Sequence, residues 1–276
     1  LYDFDPTQSG AVPERLAEID RWALRRAGEV LARCARAYEE YQYHLVFRAL
    51  HDFCVSDLSA FYLDVLKDRL YTAGPSSPAR RSAQAALYGI ARVLTAAMAP
   101  LLPHTADEAW GHLPKLPGDP ESVHLLDWPE PPAGALEDEF LPDWEALLGV
   151  RADVTRALEE ARNRCLLRDS LEAAVTLHPA AEAAAALARL QERWERDGAW
   201  EGLAHVFRVS RAEVAAGPAP AGAHRGEMAA VVVRAATGQK CPRCWIRSET
   251  VGQDPRHAEL CARCAVTVAE YFAHVG

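Results

Sequence analysis

The chain has 276 residues, half of them hydrophobic and a quarter charged, with 39 acidic against 30 basic side chains. That balance is enough for a core, which excludes wholesale disorder and collagen-like or low-complexity classes, and the length points to two or more domains. The net charge of −9 argues mildly against a polyanion partner unless cations are concentrated locally. The longest apolar stretch, Ala85 to Leu102, is interrupted by Arg92, so no membrane-spanning segment is expected. With no basic-then-apolar leader, and methionine only at Met98 and Met228, the sequence predicts a reducing, cytoplasmic compartment and looks excised from something longer.

Pro13 suits a first helical position, and Ile19, Ala23, Ala27, Val30, Cys34, Ala37, Tyr41 and Leu45 step by three or four, predicting one long amphipathic helix. The same step continues through Phe47, Leu50, Cys54, Leu58, Phe61, Tyr62, Val65 and Leu66 and ends near Ala73-Gly74-Pro75. Ser77-Pro78 predicts the cap and first turn of a third helix, terminated by Pro100. Thr105-Ala-Asp-Glu108 fits a capping box opening a short fourth helix through Trp110 and Leu113. Four such helices make a bundle.

Six prolines and two glycines between Pro114 and Gly134 predict an extended loop or linker. Helix returns from Pro142 to about Cys165. Ala173–Leu177 reads as a strand, Ala180 to Arg196 as a helix, and His205–Val209, Ala212–Ala215 and Met228–Arg234 as short strands. The expected organisation is therefore mainly α: a helical bundle and Pro-rich linker over 1–134, a helix plus small α/β junction unit over 135–222, and a metal-binding unit over 223–276.

Charge is uneven along this plan. Ala60 to His104 carries five bases against two acids, whereas Thr105 to Leu147 carries eleven carboxylates and one lysine. A nucleic acid would engage the first stretch and avoid the second.

Four of the seven cysteines form Cys241-Pro-Arg-Cys244 and Cys261-Ala-Arg-Cys264, separated by 16 residues. Two residues between thiolates let one turn aim both sulfurs at a single ion, and two such turns close a tetrahedral shell, the pattern of a four-cysteine zinc finger. A full shell of cysteine leaves no open position, so one structural zinc ion is expected and not a catalytic one. Two disulfides or a redox pair are the alternative, disfavoured in a reducing compartment. Cys34, Cys54 and Cys165 read as small buried hydrophobes on helix faces.

Around the zinc turns, Lys240, Arg243 and Trp245 combine cations with an aromatic ring, which suits phosphate contact and base stacking; Trp245 as packing for the zinc turns is the competing reading. In the bundle, Lys67 and Arg69 end one helix and Arg80 and Arg81 open the next, so four cations are expected to meet at one corner, for RNA backbone or for the helix dipole. No phosphate loop, nucleophile elbow or His-based catalytic spacing is present in the sequence, which therefore reads as a binding module.

The segment Phe53-Cys-Val-Ser-Asp-Leu-Ser-Ala-Phe-Tyr-Leu-Asp-Val-Leu-Lys-Asp-Arg-Leu-Tyr71, with Arg80-Arg81-Ser-Ala-Gln84, Met98-Ala-Pro-Leu-Leu-Pro-His104 and Glu108-Ala-Trp110, resembles the anticodon-binding bundle of class I aminoacyl-tRNA synthetases. Ser122-Val-His-Leu-Leu-Asp-Trp-Pro129, Ser170–Leu177, Gly238-Gln-Lys-Cys-Pro-Arg-Cys-Trp245 and His257–Cys264 are similar to the C-terminal portion of the bacterial isoleucyl enzymes. Valyl and leucyl relatives share the bundle pattern; the zinc unit also resembles the finger of formamidopyrimidine-type DNA glycosylases. The resemblance implies a tRNA-reading part of a ligase that joins isoleucine to its tRNA using ATP. Its catalytic (ATP-binding) and editing domains would lie outside this chain, since the His-Ile-Gly-His and Lys-Met-Ser-Lys-Ser signatures are absent. It further implies isoleucine tRNA as partner and a monomeric state. A DNA-binding zinc-finger module and a protein-interaction scaffold are the rival classes. One departure from the family pattern is Arg162-Asn-Arg-Cys-Leu-Leu-Arg-Asp169, where a lysine-rich stretch and glycine-serine turn are usual, so a different loop is expected there.

Overall fold

A computed structural model describes residues 1–8, 10–198 and 202–275, with side chains to 271. The chain divides into two compact units, Leu1–Leu136 and Glu137–Gly276. Among the described residues no helix is long and apolar enough to cross a membrane.

The first unit is a helical bundle. Helix α1 (Glu18–Glu39) buries Ile19, Trp22, Ala23, Ala27, Val30 and Cys34 along one face. It begins after Ala17, whose amide donates to Ser82 Oγ, and not at Pro13. It also stops short of the expected run. Tyr41 takes a left-handed conformation (φ 56°) and Gln42 N donates back to Ala37 O at 2.7 Å, a Schellman-type stop made without glycine.

After that turn, α2 (Tyr43–Asp52), a π-helical segment (Phe53–Tyr62) and α3 (Leu63–Thr72) form successive stretches of helix. In the π segment the buried Phe53, Leu58 and Tyr62 step by five and then four, in keeping with a wider turn. This winding aims Asp57 at Arg26, packs Phe61 edge-on against Trp22 at 5.0 Å, and places the Tyr62 hydroxyl on Asp20. Phe47, expected inside, faces solvent.

Helix α4 (Pro78–Met98) starts where Ser77-Pro78 indicated, although Ser77 makes no side-chain cap bond. Helix α5 (Pro103–His112) begins at Pro103, so Thr105 lies inside the first turn and the expected capping box does not form. The Pro-rich stretch is tightly tied to the bundle: Trp110 Nε1 donates to Pro120 O, Tyr88 Oη to Pro114 O, and Arg92 grips Asp119 with two bonds of 2.6 and 2.7 Å. Trp110, fully buried, has Arg92 over its ring at 4.7 Å and Lys115 Nζ at 3.8 Å.

The second unit opens with α6 (Leu141–Asn163) and α7 (Ala181–Arg196), linked through Asp143, which accepts from Arg189 and from Arg193 at 2.8 Å. A four-stranded sheet of order β2-β1-β4-β3 contains β1 (Ala173–Pro179), β2 (Arg211–Val214), β3 (His224–Arg225) and β4 (Ala229–Ala235). Strand β1 is parallel to β2 and antiparallel to β4, with Val175 opposite Val233. Its alternate residues Ala173, Val175 and Leu177 are buried, the period-two pattern of a strand with one face inward. Asp153 of α6 is buried and accepts the amides of Glu227, Met228 and Ala229, which fixes the β3–β4 turn to the helix. A Cβ on Gly226 would lie 2.1 Å from the Asp153 carboxyl carbon, so this position excludes any side chain.

Residues 205–209 are not a strand. They contain the end of a short helix, α8 (Leu203–Val206), closed by Arg208 at φ 57° with Val209 N on Ala204 O. The departure at Arg162–Asp169 is resolved in the same way: Cys165 is left-handed (φ 58°) and exposed, and Leu166 N donates to Ala161 O. A cysteine here occupies the conformation for which glycine is normally favoured. Its expected burial is therefore wrong.

Candidate metal centre and RNA-facing residues

The zinc unit is a hairpin followed by a helix. Strands β5 (Gln239–Lys240) and β6 (Arg247–Ser248) pair antiparallel and bracket the first Cys-x2-Cys turn. Cys241 N donates to Ile246 O and Trp245 N to Cys241 O, with Trp245 left-handed at φ 67°, so both sulfurs of the turn point inward. Gly238, at φ 84°, sits where an added Cβ would meet the Ser248 backbone at 2.4 Å. The second pair lies at the start of α9 (Ala262–Val275), where Ala262 N is held by Thr250 Oγ1.

All four cysteines are buried and their Sγ atoms lie within 4.8 Å of one another. Cys244 and Cys261 sulfurs are 3.8 Å apart. A tetrahedron with zinc–sulfur bonds of about 2.3 Å has edges of roughly 3.8 Å, so the cage fits that ion. Hydrogen bonds with Cys244 and Cys264 hold the Cys261 thiol well below its usual value, while those with Cys244 and Cys261 push Cys264 upward. Four buried thiols this close cannot all ionise unaided, and a divalent cation removes the conflict. Arg243 Nη1 contacts Cys264 Sγ at 3.7 Å and Cys261 N contacts Cys241 Sγ at 3.5 Å, donors that offset thiolate charge. Leu260 and Ala265, with Ile246, Val251 and Val268 beside them, complete a small apolar cluster around the sulfurs.

Trp245 is not part of that cluster. Its side chain is 59% exposed, with Lys240 Nζ 5.5 Å from the ring centroid. Six cations against three carboxylates between positions 234 and 264 make the unit locally basic within an acidic chain.

The four bundle cations behave differently from one another. Lys67 is exposed and near Asp64 at 2.9 Å. Arg69 is 1% exposed and bonded to Asp20 at 2.6 and 3.0 Å, which corrects its expected role as a direct backbone contact. Asp20 also accepts from Tyr62 and Ser82, and so joins α1, the π segment, α3 and α4. Arg80 donates to Leu70 O and Asp3, and Arg81 to Asp3 O and Gln84. These two hold the amino-terminal segment on the bundle. Spacing placed the four together, but partners distant in sequence decide which of them face solvent.

A further group escaped the sequence reading. Tyr38, Tyr41, Tyr43 and Trp128 form a chain of edge-to-face rings, with centroid separations of 6.3 Å (Tyr41 to Tyr43), 6.1 Å (Tyr43 to Tyr38) and 5.7 Å (Tyr38 to Trp128). Tyr38 anchors the chain through its hydroxyl on Ala97 O, and burial pushes that hydroxyl to about 12.

Residues 20–177 match the family model described as the anticodon-binding domain of tRNA ligase, and residues 238–266 match the zinc finger found in FPG and IleRS. The chain belongs to the anticodon-binding domain family of tRNA ligases. Within it, the chain is 41% identical over 273 residues to the isoleucine–tRNA ligase of Geobacillus kaustophilus, 42% over 277 to that of Brevibacillus brevis and 43% over 277 to that of Moorella thermoacetica. These matches cover 99%, 100% and 99% of the chain but only 29% of each relative, and correspond to the relatives' C-terminal portion. The finger match and the four-sulfur cage together define a structural zinc site.

Proposed function

We propose that this chain is the tRNA-reading part of an isoleucine–tRNA ligase. The observation that carries this reading is the joint presence, along nearly the whole chain, of an anticodon-binding bundle and a four-cysteine finger of the isoleucyl type. Cys241, Cys244, Cys261 and Cys264 would hold one zinc ion, which supplies structural crosslinking to a unit whose apolar cluster is small. Lys240 and the exposed Trp245 then offer a cation and a ring face to the anticodon loop or adjacent stem, with Arg243 supporting the thiolates beside them. Lys67 contributes a backbone contact from the bundle, and Arg80 and Arg81 act by securing the amino-terminal segment.

In this reading residues 1–134 and 135–222 serve as bundle and junction and 223–276 as the zinc-binding domain of a monomeric, cytoplasmic ligase. Adenylation with ATP and editing belong to parts of the enzyme outside this chain. The test is an anisotropy titration of the zinc-loaded chain against isoleucine tRNA, the same tRNA with a changed anticodon, and duplex DNA, each at two salt concentrations. Tighter binding of the native anticodon supports the reading; equal binding of all three rejects it.

A further inference from the structure

The ring chain at the α1–α2 turn faces outward. Tyr41 is 78% exposed, Tyr43 46% and Trp128 41%. Aromatic rings at a protein surface, edge-linked to one another and anchored through a part-buried hydroxyl, favour fixed mutual angles. Tyr41 is held there by a left-handed backbone, a conformation that a bulky residue rarely adopts.

The cations of the bundle point to what these faces meet. Arg25, Arg26, Arg69, Arg80, Arg81 and Arg92 are each engaged by a carboxylate. Arg33, Arg36 and Arg48 are exposed and make no ion pair among the described residues. All three lie in the last two turns of α1 or in α2, the elements that carry Tyr38 and Tyr43 and flank the turn at Tyr41. The carboxylates of the same stretch are Glu39, Glu40, which accepts from Gln42, and Asp52, which faces His51. Uncommitted guanidinium groups on the helices that flank a set of exposed rings are the composition that binds single-stranded nucleic acid, where cations track phosphates and bases stack on rings.

We propose that Tyr41, Tyr43 and Trp128, backed by Tyr38, form a stacking platform for unpaired RNA bases, and that Arg33, Arg36 and Arg48 hold the adjoining phosphates. The platform deepens the tRNA-reading function proposed above, since it names the bundle surface that receives splayed bases. A duplex, whose bases are already stacked and paired, cannot use it.

The test uses the complete zinc-loaded chain carrying Trp245→Ala, so that stacking at the zinc turn does not contribute. Labelled single-stranded RNA heptamers and the same heptamers annealed to their complements are titrated against this chain and against versions with Tyr41→Asn plus Tyr43→Ala, Trp128→Ala, or Arg48→Ala. Asparagine is chosen at 41 because it tolerates positive φ, and circular dichroism checks that helicity is unchanged. The platform requires the single strand to bind tighter than the duplex, and the tyrosine double substitution to weaken it about fivefold to a hundredfold. It also requires Arg48→Ala to reduce the salt dependence of binding. Heptamer affinity that does not respond to the ring substitutions overturns it. So does self-association of the chain abolished by the same substitutions, which would make this face a protein contact. Failure to discriminate between anticodons in whole tRNA, with the heptamer response intact, would reject the isoleucine reading and leave the platform standing.

Discussion

Asp20 and Arg69 lie 49 positions apart in the sequence and form an ion pair in which neither side chain is more than 1% exposed. Tyr62 and Ser82 complete the Asp20 shell, so the pair is hydrogen-bonded on several sides. A buried pair of this kind is costly to halve, because the surviving charge is left in a low-dielectric interior. Arg69→Met is therefore expected to lower stability by about 3–5 kcal/mol in urea denaturation, and Asp20→Leu combined with Arg69→Met to recover much of that loss. The folded fraction of Arg69→Met should show the same salt dependence of tRNA binding as the parent. A reduced slope with unchanged stability would restore Arg69 as a direct RNA contact.

Asp153 links stability to pH. Burial opposes its ionisation, but hydrogen bonds from Arg156 and from the amides of Ala229, Met228 and Glu227 outweigh this and lower its pKa below 3.8. A depressed folded value means that its contribution is fully present above the unfolded pKa, about 3.9, and is lost as pH falls through the folded one. Asp153→Asn is expected to cost about 1–3 kcal/mol near neutrality, with the difference from the parent shrinking below pH 4. A difference that stays constant down to pH 2 would contradict this.

Cys165 holds a left-handed conformation at the end of α6 with its side chain in solvent. Cys165→Gly removes a steric penalty of about 1–2 kcal/mol at the cost of a more flexible unfolded chain. The net expectation is a thermal midpoint raised by a few degrees, measured by calorimetry. A lowered midpoint would mean that the thiol contributes more than its exposure suggests.

The zinc cage separates fold from recognition. Cys244→Ser is expected to release the metal, measured by chromogenic chelator, and to unfold the hairpin while helicity from the bundle is largely kept. Trp245→Ala, whose ring is exposed, should keep full metal content and weaken tRNA binding about fivefold or more. Full metal retention in Cys244→Ser would contradict the four-cysteine assignment.

Much of this was legible because local rules act over short distances. Cysteine spacing located the metal cage, Ser77-Pro78 located the start of α4, and the short apolar run Ala173–Leu177 marked β1. Other features depend on contacts that spacing does not encode. Tyr41 continues the apolar period of α1, which predicts an inward ring, yet the Schellman-type closure on Ala37 turns it out and ends the helix. The π segment follows from fitting Asp57, Phe61 and Tyr62 to one face of α1. Thr105 satisfied a capping pattern, but Pro103 took the first turn. Arg69 matched a basic cluster until its distant carboxylate was visible. Three tyrosines within six positions were the available signal for the aromatic platform, but the helical period takes up Tyr41 alone and leaves Tyr38 and Tyr43 unassigned.

The central claim, that bundle and zinc unit read the anticodon of an isoleucine tRNA, is tested most directly by calorimetry with isolated anticodon stem-loops. The zinc-loaded chain should bind the isoleucine stem-loop at least tenfold tighter than one differing only in its anticodon, and removing zinc with a chelator should abolish that preference. Equal affinity for both stem-loops, unchanged by zinc removal, would contradict it.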